Sequence, residues 1–358
     1  MAQPLPPAID FAGDEDEDAQ TIATTIKECF TRSNIWECEK ILGNGAYGVA
    51  ILVKERNAKD GYRRRVMLKR ALTAGVDELK VEIETLKLLR GSAHVATILA
   101  SCTDLTDAMG KEIPNTDFRS IFKTLNGLGG PAFVQEYCPN GTLESLRQRA
   151  IARNIEVPNR LLWRVYLCLV RACIALAYPP GNAVDAASAM ENIRAGNVPG
   201  DLVHGDIAGR NIVIGDSDPE VSEHSYIPML KMIDFGSSRN SYPGKGPEEN
   251  LHAVAVEMLR LICKGRVRTG PRFATTFGDV RTGATDILPV NGVPRFPNLD
   301  NNLRDLLVQA LRIDRENRPT LDEMLDLVRT RGNQMTPDII DLDHDFDEPI
   351  IQRLIYDV

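Results

Sequence analysis

The segment Leu202-Val-His-Gly-Asp-Ile-Ala-Gly-Arg-Asn211 brings three polar side chains into one short stretch of chain. Asp206 follows His204 by two residues, and Asn211 follows Asp206 by five. Apolar residues flank the segment on both sides. This pattern predicts a tight polar loop between two short buried segments, which would hold a carboxylate and an amide at a fixed separation. By itself, the segment fits an ordinary turn equally well.

The composition excludes several classes of protein. The chain has 358 residues, of which 43% are hydrophobic, enough for a large core in one two-lobed domain or two domains. A net charge of −8 argues against a nucleic-acid partner, which needs concentrated basic surface. The seven cysteines show no metal-like spacing, and no apolar run reaches the roughly 18 residues of a membrane span. The N-terminus also lacks the features of a signal peptide. We therefore expect an intracellular protein, cytoplasmic or nuclear, without a membrane partner.

Polar and acidic stretches divide the chain. Residues 1–34, with prolines and the acidic run Asp14–Asp18, are predicted to form a disordered tail, because such a run repels itself and has little to bury. Residues 332–358 form a second acidic tail, which could dock on its own domain or on a partner. Inserted loops are predicted near three ranges rich in Gly, Pro or charge: 103–131, 179–200 and 216–228.

Three glycines, Gly43, Gly45 and Gly48, lie between apolar β-branched residues and predict a strand–turn–strand unit. A dinucleotide-binding turn also uses G-x-G-x-x-G, but it needs a helix directly after the glycines. Here a strand pattern follows, then a basic turn, then an apolar strand that ends at Lys69. On its own, Lys69 also fits a solvated residue at a strand end.

Further along the chain, apolar residues at three- and four-residue intervals over 76–89 predict an amphipathic helix, which carries Glu82 and Glu84. Either glutamate could face Lys69, and order and distance favour Glu82. A long apolar helix is predicted over 160–178. The strand over 132–137 ends in a Pro-Asn-Gly turn with a helix after it. The sequence Asp234-Phe-Gly follows a short apolar strand.

Taken in order over residues 41–331, these motifs resemble those of protein kinases: a glycine hairpin, a strand lysine, a helix glutamate, a His-x-Asp-x-x-x-x-Asn loop and Asp-Phe-Gly. The resemblance implies an α+β, two-lobed protein-kinase-like fold over 35–331. Its small β-rich N-lobe would cover 35–137, and its larger helical C-lobe would cover 138–331.

The resemblance also implies roles and cofactors, ATP and Mg²⁺. Asp206 would orient and deprotonate the acceptor hydroxyl, and Lys69 would hold the α- and β-phosphates. Asn211 and Asp234 would bind Mg²⁺. Arg210 matches an arginine of tyrosine kinases and could steady the γ-phosphate, or it could be a solvated surface residue. The residues expected to enclose ATP or to fix Lys69 are Gly43, Asn44, Gly45, Ala46, Tyr47, Gly48, Ala50, Met67, Glu82, Glu136 and Cys138.

The chain departs from the kinase pattern at several positions. Gly205 stands where the loop usually has arginine, and Asn250 stands where a later helix usually has aspartate. The segment after Asp-Phe-Gly is short and lacks Ala-Pro-Glu. Its only remnant, Pro247-Glu248, could pair with Arg318. These departures put peptide docking in doubt, but not phosphate chemistry.

The resulting interpretation is an ATP- and Mg²⁺-dependent kinase that acts on Ser/Thr hydroxyls of a protein. One alternative is a small-molecule kinase of the aminoglycoside-phosphotransferase type, whose loop also has His-Gly-Asp. The other is a pseudokinase scaffold, which binds nucleotide without turnover. The identity of the substrate and the oligomeric state do not follow from the sequence.

Overall fold

The computed structural model describes residues 19–45, 47–57, 62–105, 118–181, 187–221, 223–334 and 344–356. Ala46, one of the residues expected to enclose a nucleotide, lies outside these ranges. The described chain has a mixed α+β fold, in which an antiparallel sheet precedes a mainly helical part.

The sheet has five strands in the order β1-β2-β3-β5-β4. Its strands are β1 (Trp36–Gly45), β2 (Gly48–Glu55), β3 (Arg65–Ala71), β4 (Ile98–Cys102) and β5 (Ala132–Glu136). The predicted glycine hairpin is confirmed, since β1 and β2 pair antiparallel up to Gly45 and Gly48. Lys69 pairs with Ala50 on one side and Phe133 on the other, so it lies on the central strand. Its position is therefore fixed from both sides.

Three two-stranded ladders follow, made by β6 (Leu202–Val203) with β9 (Arg239–Asn240), β7 (Ile212–Ile214) with β8 (Leu230–Met232), and β10 (Thr275–Phe277) with β11 (Val280–Thr282). The polar segment that contains Asp206 runs from β6 to β7, so short buried strands flank it on both sides, as predicted.

The helices of the described chain are α1 (Ala19–Thr31), α2 (Val76–Leu88), α3 (Arg119–Thr124), α4 (Leu143–Ala152), α5 (Asn159–Ala177), α6 (Gly246–Cys263), α7 (Asn301–Ala310), α8 (Leu321–Gln334) and α9 (His344–Ile355). Helix α5 is buried from Arg160 to Ala177. A helix buried along nearly its whole length belongs in a core, and α6 and α8 pack against it. The prediction of a long apolar helix over 160–178 is confirmed.

The expectation of disorder over residues 1–34 is wrong for the described residues 19–34. Helix α1 occupies 19–31, and Ile22, Ile26 and Phe30 on one side of it are buried in the apolar cluster of the sheet. Burial of these three side chains is favourable enough to order the helix. The acidic run before it concealed this apolar spacing in the sequence.

Two other segments predicted as loop or tail contain helices. The expected loop at 103–131 includes α3, whose Ile121 and Phe122 are buried, and Ser120 Oγ accepts a hydrogen bond from Trp36 Nε1 at 2.9 Å. The C-terminal tail contains α9, which docks on its own chain with Leu354 fully buried. By contrast, the described parts of 179–200 and 216–228 contain neither a helix nor a named strand.

No helix within the described ranges combines the length and apolar character needed to cross a membrane.

Candidate functional site

One cleft, of about 860 Å³, contains the predicted site residues. Every one of them that the structure describes lines this cleft: Gly43, Asn44, Gly45, Tyr47, Gly48, Ala50, Met67, Lys69, Glu82, Glu136, Cys138, Asp206, Arg210, Asn211 and Asp234. They come from the glycine hairpin, the central strand, α2, the end of β5 and the loops around β7 and β8. The cleft therefore joins segments that are far apart in sequence.

Lys69 is the electrostatic centre of the cleft. Its Nζ donates to Glu82 Oε2 at 2.7 Å and to Asp234 Oδ1 at 2.8 Å. Burial alone would lower the pKa of Lys69, but the charges of Glu82 and Asp234 outweigh burial and raise it. The ammonium group is therefore held in its charged form. Glu84 instead pairs with Lys87 at the surface, so Glu82 is the partner of Lys69.

Asp234 reaches Lys69 through an unusual backbone turn. Its φ of 65° is left-handed, which is uncommon for a residue other than glycine. The next residue, Phe235, is fully buried, and its ring centroid lies 4.6 Å from that of His204. The backbone of Phe235 also hydrogen-bonds the Glu82 carboxylate. Packing of Phe235 thus stabilises the turn that brings Asp234 to the lysine.

Asp206 is held by two neighbours on its own loop. Asn211 Nδ2 donates to the backbone oxygen of Asp206 and to its Oδ2, both at 2.9 Å. Arg210 Nη2 contacts both carboxylate oxygens, at 2.7 and 2.6 Å. Arg210 is exposed and Asp206 is partly exposed. A ligand that approaches Asp206 must therefore compete with the guanidinium group or displace it.

Asn250 on α6 forms hydrogen bonds with the backbone at the start of this loop. Its Oδ1 accepts from the His204 backbone N–H at 3.1 Å, and its Nδ2 donates to Leu202 O at 2.9 Å. His204 Nε2 lies 3.0 Å from Ile233 O, directly before Asp234. The neutral amide therefore bonds the backbone of the loop through both its oxygen and its nitrogen. Nearby, Glu248 and Arg318 also pair, at 3.4 Å.

The structure explains why residue 205 is glycine. Gly205 has a φ of +84°, and a Cβ atom built there would lie 2.2 Å from the backbone oxygen of Ser237. Real Cβ atoms do not approach other atoms so closely, so any side chain would force the two loops apart. The absence of arginine at this position follows from backbone packing.

An ion pair that sequence reasoning missed stabilises the edge of the cleft near β5. Lys231 Nζ lies 2.8 Å from both carboxylate oxygens of Glu136, and Oε1 of Glu136 also accepts from the Thr97 N–H at 2.6 Å. Lys231 is the only charged residue of strand β8, a signal that could have suggested a buried partner. Because its carboxylate is occupied, Glu136 would have to contact a ligand through its backbone.

Two further residues near this edge have defined surroundings. Gln135 is buried, and its Nε2 donates to Ala96 O at 2.9 Å. Burial raises the pKa of Cys138 to about 12, so this thiol stays protonated and is a poor nucleophile.

Sequence reasoning also missed Glu257 on α6, which is 3% exposed. Its carboxylate hydrogen-bonds the backbone of Gly209 and pairs with Arg260 at 3.0 Å. A charged residue on the buried side of an apolar helix was the available signal. Through this hydrogen bond, Glu257 stabilises the backbone of the loop between Asp206 and Asn211.

Ala50 and Met67 lie on one face of the sheet. Ala50 pairs with Lys69 and Leu52 with Met67, so Ala50 and Met67 are diagonal neighbours on adjacent strands. Both line the cleft. Their side chains therefore share one part of its wall.

The arrangement suits a polyanion together with a divalent cation. Lys69 supplies a fixed positive charge, and the Asp234 carboxylate and Asn211 amide provide the oxygen ligands that Mg²⁺ prefers. Within the described residues, both hydrogen bonds of the Asn211 side chain use Nδ2, which leaves Oδ1 as a potential ligand. Comparison of the chain with models of known protein families gave no match, and neither did comparison with curated proteins.

Proposed function

We propose that this chain is a kinase that transfers the γ-phosphoryl group of ATP, with Mg²⁺, to Ser/Thr hydroxyls of a protein, on a two-lobed fold of the protein-kinase type. One observation carries the proposal. Five residues of the expected types, from four separate segments, meet in the cleft in two hydrogen-bonded groups: Lys69 with Glu82 and Asp234, and Asp206 with Asn211.

The residues on the nucleotide side would bind and orient the donor. Phosphoryl transfer depends on positioning and on neutralisation of charge. Lys69 would contact phosphate oxygens while Glu82 keeps it in place. The backbone of the glycine hairpin would cover the phosphates. Gly43 and Gly45 have open space where a side chain would project, so a ligand could approach the backbone of the hairpin closely. Mg²⁺, held by Asp234 and Asn211, would neutralise charge on the phosphate oxygens.

On the acceptor side, Asp206 would take the hydroxyl proton. A carboxylate in this role must hydrogen-bond the hydroxyl directly. Arg210 occupies both oxygens of Asp206 and is exposed, so a bound acceptor or phosphate could draw it away. Arg210 would then be free to contact the negative charge of the donor.

The first test is stabilisation by Mg-ATP. Saturating Mg-ATP should raise the melting temperature of the full chain, because a ligand of the native state at about 100 times its Kd adds roughly 2.7 kcal/mol. Asp234→Ala should abolish most of the Mg²⁺-dependent part. Asp305→Ala removes an exposed carboxylate on α7, outside the cleft, and should leave the shift intact.

Transfer of labelled phosphate then separates the three functions. Label in a generic protein substrate supports the proposal, and label only in an aminoglycoside supports the small-molecule kinase. Binding without any transfer supports the scaffold. An unchanged melting curve for the folded wild type at millimolar Mg-ATP would contradict the nucleotide site itself.

A second prediction concerns Ala50 and Met67. Kinases usually have valine and alanine, respectively, at these positions over the adenine. We expect Met67 to fill space left by the small Ala50, since voids and overpacking each cost about 1–3 kcal/mol. Ala50→Val alone should weaken ATP binding, and adding Met67→Ala should restore it. A double-mutant cycle on ATP affinity measures the coupling. Additive effects, or much tighter binding by Met67→Ala alone, would show that Met67 merely narrows the pocket.

A further inference from the structure

A second polar cluster lies outside the cleft, between α5 and the irregular segments that contain Glu191 and His224. His94, Cys168 and His224 each offer one donor atom, and these atoms lie within 4.8 Å of one another. All three residues are buried, with at most 1% of their surface exposed. The proposed kinase chemistry uses none of them.

The two histidines have the spacing of neighbouring zinc ligands. Their Nε2 atoms are 3.2 Å apart. In a tetrahedral site with Zn–N bonds of about 2.0–2.1 Å, two nitrogen ligands lie about 3.3 Å apart. Imidazole and thiolate are soft donors that suit zinc rather than magnesium or calcium. Donor type and spacing therefore agree on the same class of ion.

Glu191 orients one of these ligands. Its Oε2 lies 2.6 Å from His94 Nδ1, and its Oε1 accepts from the His94 backbone N–H at 2.7 Å. A carboxylate that accepts from Nδ1–H leaves the Nε2 lone pair for a metal, the usual arrangement behind metal-bound histidines. Glu191 itself is 7% exposed.

A buried arginine on the same helix lies near Cys168. Arg164 Nη1 is buried without a hydrogen-bond partner in the described part of the chain. The Arg164 guanidinium interacts electrostatically with Cys168. Arg171, another buried arginine of α5, pairs with Glu223 through bonds of 2.8 and 2.5 Å. A metal-bound Cys168 thiolate would place negative charge beside the Arg164 guanidinium, which also interacts electrostatically with Glu223.

We propose that His94, His224 and Cys168 bind a Zn²⁺ ion, with Glu191 as the residue that positions His94. Binding would displace the thiol proton and the proton between the two imidazoles to solvent, and form one Zn–S and two Zn–N bonds, with the fourth tetrahedral position left to a water molecule. Because the ligands are buried, the ion would act as a structural cross-link. It would join both irregular segments to α5 and to the chain before β4.

The same site would also stabilise the strand that leads to Asp234 in the cleft. The backbone oxygen of His94 accepts from Met232 N at 2.9 Å, two residues before Asp234. The zinc proposal does not depend on the proposed kinase activity, since it concerns residues outside the cleft and is tested by metal content.

The test uses the full chain, purified without a polyhistidine tag and dialysed against Zn²⁺ and then metal-free buffer. Elemental analysis should find about one zinc per chain. Cys168→Ser should lose it. Cys173→Ser is the matched control, because Cys173 is equally buried on the same helix but lies outside the cluster. Glu191→Gln should weaken zinc affinity by about 10–100-fold.

Cobalt substitution of the wild type gives a second readout that does not require a folded variant. A thiolate-to-cobalt charge-transfer band is expected. The proposal is overturned if the folded wild type retains no zinc and its melting temperature does not change when Zn²⁺ is added. It is equally overturned if the Cys168→Ser and Cys173→Ser variants bind the same amount of zinc per chain. The histidines would then form a proton-sharing pair in the core.

Discussion

Asp206→Asn is expected to lower the rate of phosphoryl transfer by about 10²–10⁴-fold, the usual contribution of a positioned general base. The affinity for Mg-ATP should change little, because Lys69 and Asp234, which would hold the donor, bond each other, whereas Asp206 bonds Arg210 and Asn211. The amide of the variant can still bond Asn211, so the loop should keep its conformation. Initial rates with labelled ATP give kcat, and calorimetry gives the affinity.

The comparison variant is Asp305→Asn, which makes the same chemical change on exposed helix α7. It should match the wild type in both measurements. Equal residual turnover by the wild type and Asp206→Asn would mean that Asp206 does no chemistry, and the scaffold function would then be favoured. A loss of ATP affinity alone would assign Asp206 to binding instead.

The site could be anticipated from the sequence where its residues are close along the chain. Asp206 and Asn211 share one loop, so their types and spacing suffice. The choice between Glu82 and Glu84 was also within reach. Glu82 follows Leu79 by three residues and precedes Leu86 by four, which places it on the apolar face of α2. Glu84 lies off that face and is exposed.

Acidic composition led to a wrong prediction of disorder in a segment whose apolar spacing indicates a helix. In α1, Ile22, Ile26 and Phe30 recur every four residues, which is a helical spacing. The neighbouring acidic run suggested disorder for the whole tail, although only local patterning decides whether a segment can bury a face. The same reasoning applies to α9, where Ile351 and Leu354 are buried.

Contacts between distant segments could not be predicted. The pairing of Lys231 with Glu136, and the meeting of His94, Cys168 and His224, depend on how several elements pack. No residue spacing encodes them. Gly205 is intermediate: the sequence shows the departure from arginine, but only the approach of Ser237 explains it.

Lys69→Met is expected to lower the free energy of unfolding by about 3–5 kcal/mol, because it leaves a buried carboxylate without its cation. Glu82 is 2% exposed, and its contact with Lys69 is 2.7 Å long. Urea unfolding gives the stability. Lys87→Met is the matched control, since Lys87 pairs with Glu84 at a similar 2.8 Å but at the surface. That change should cost at most about 1 kcal/mol.

The pH dependence of the stability loss in Lys69→Met identifies the cause of that loss. Burial raises the pKa of Glu82, and Lys69 opposes this effect. Without Lys69, the pKa in the folded state should lie further above the unfolded value of about 4.3. Protonation then favours the folded form, so the penalty should be small near the unfolded pKa and grow as pH rises towards the folded one. The loss should be smaller at about pH 5 than at about pH 8.

A second substitution separates folding from function. Lys69→Met with Glu82→Leu removes both charges, and replacing a buried ion pair by apolar groups is often neutral. Stability should recover in the double variant, while stabilisation by Mg-ATP stays lost because no cation faces the phosphates. If stability does not recover and the loss is the same at both pH values, an unpaired Glu82 is not its cause. If Mg-ATP still stabilises the double variant, Lys69 does not bind the nucleotide, and its contact with Asp234 would be purely structural.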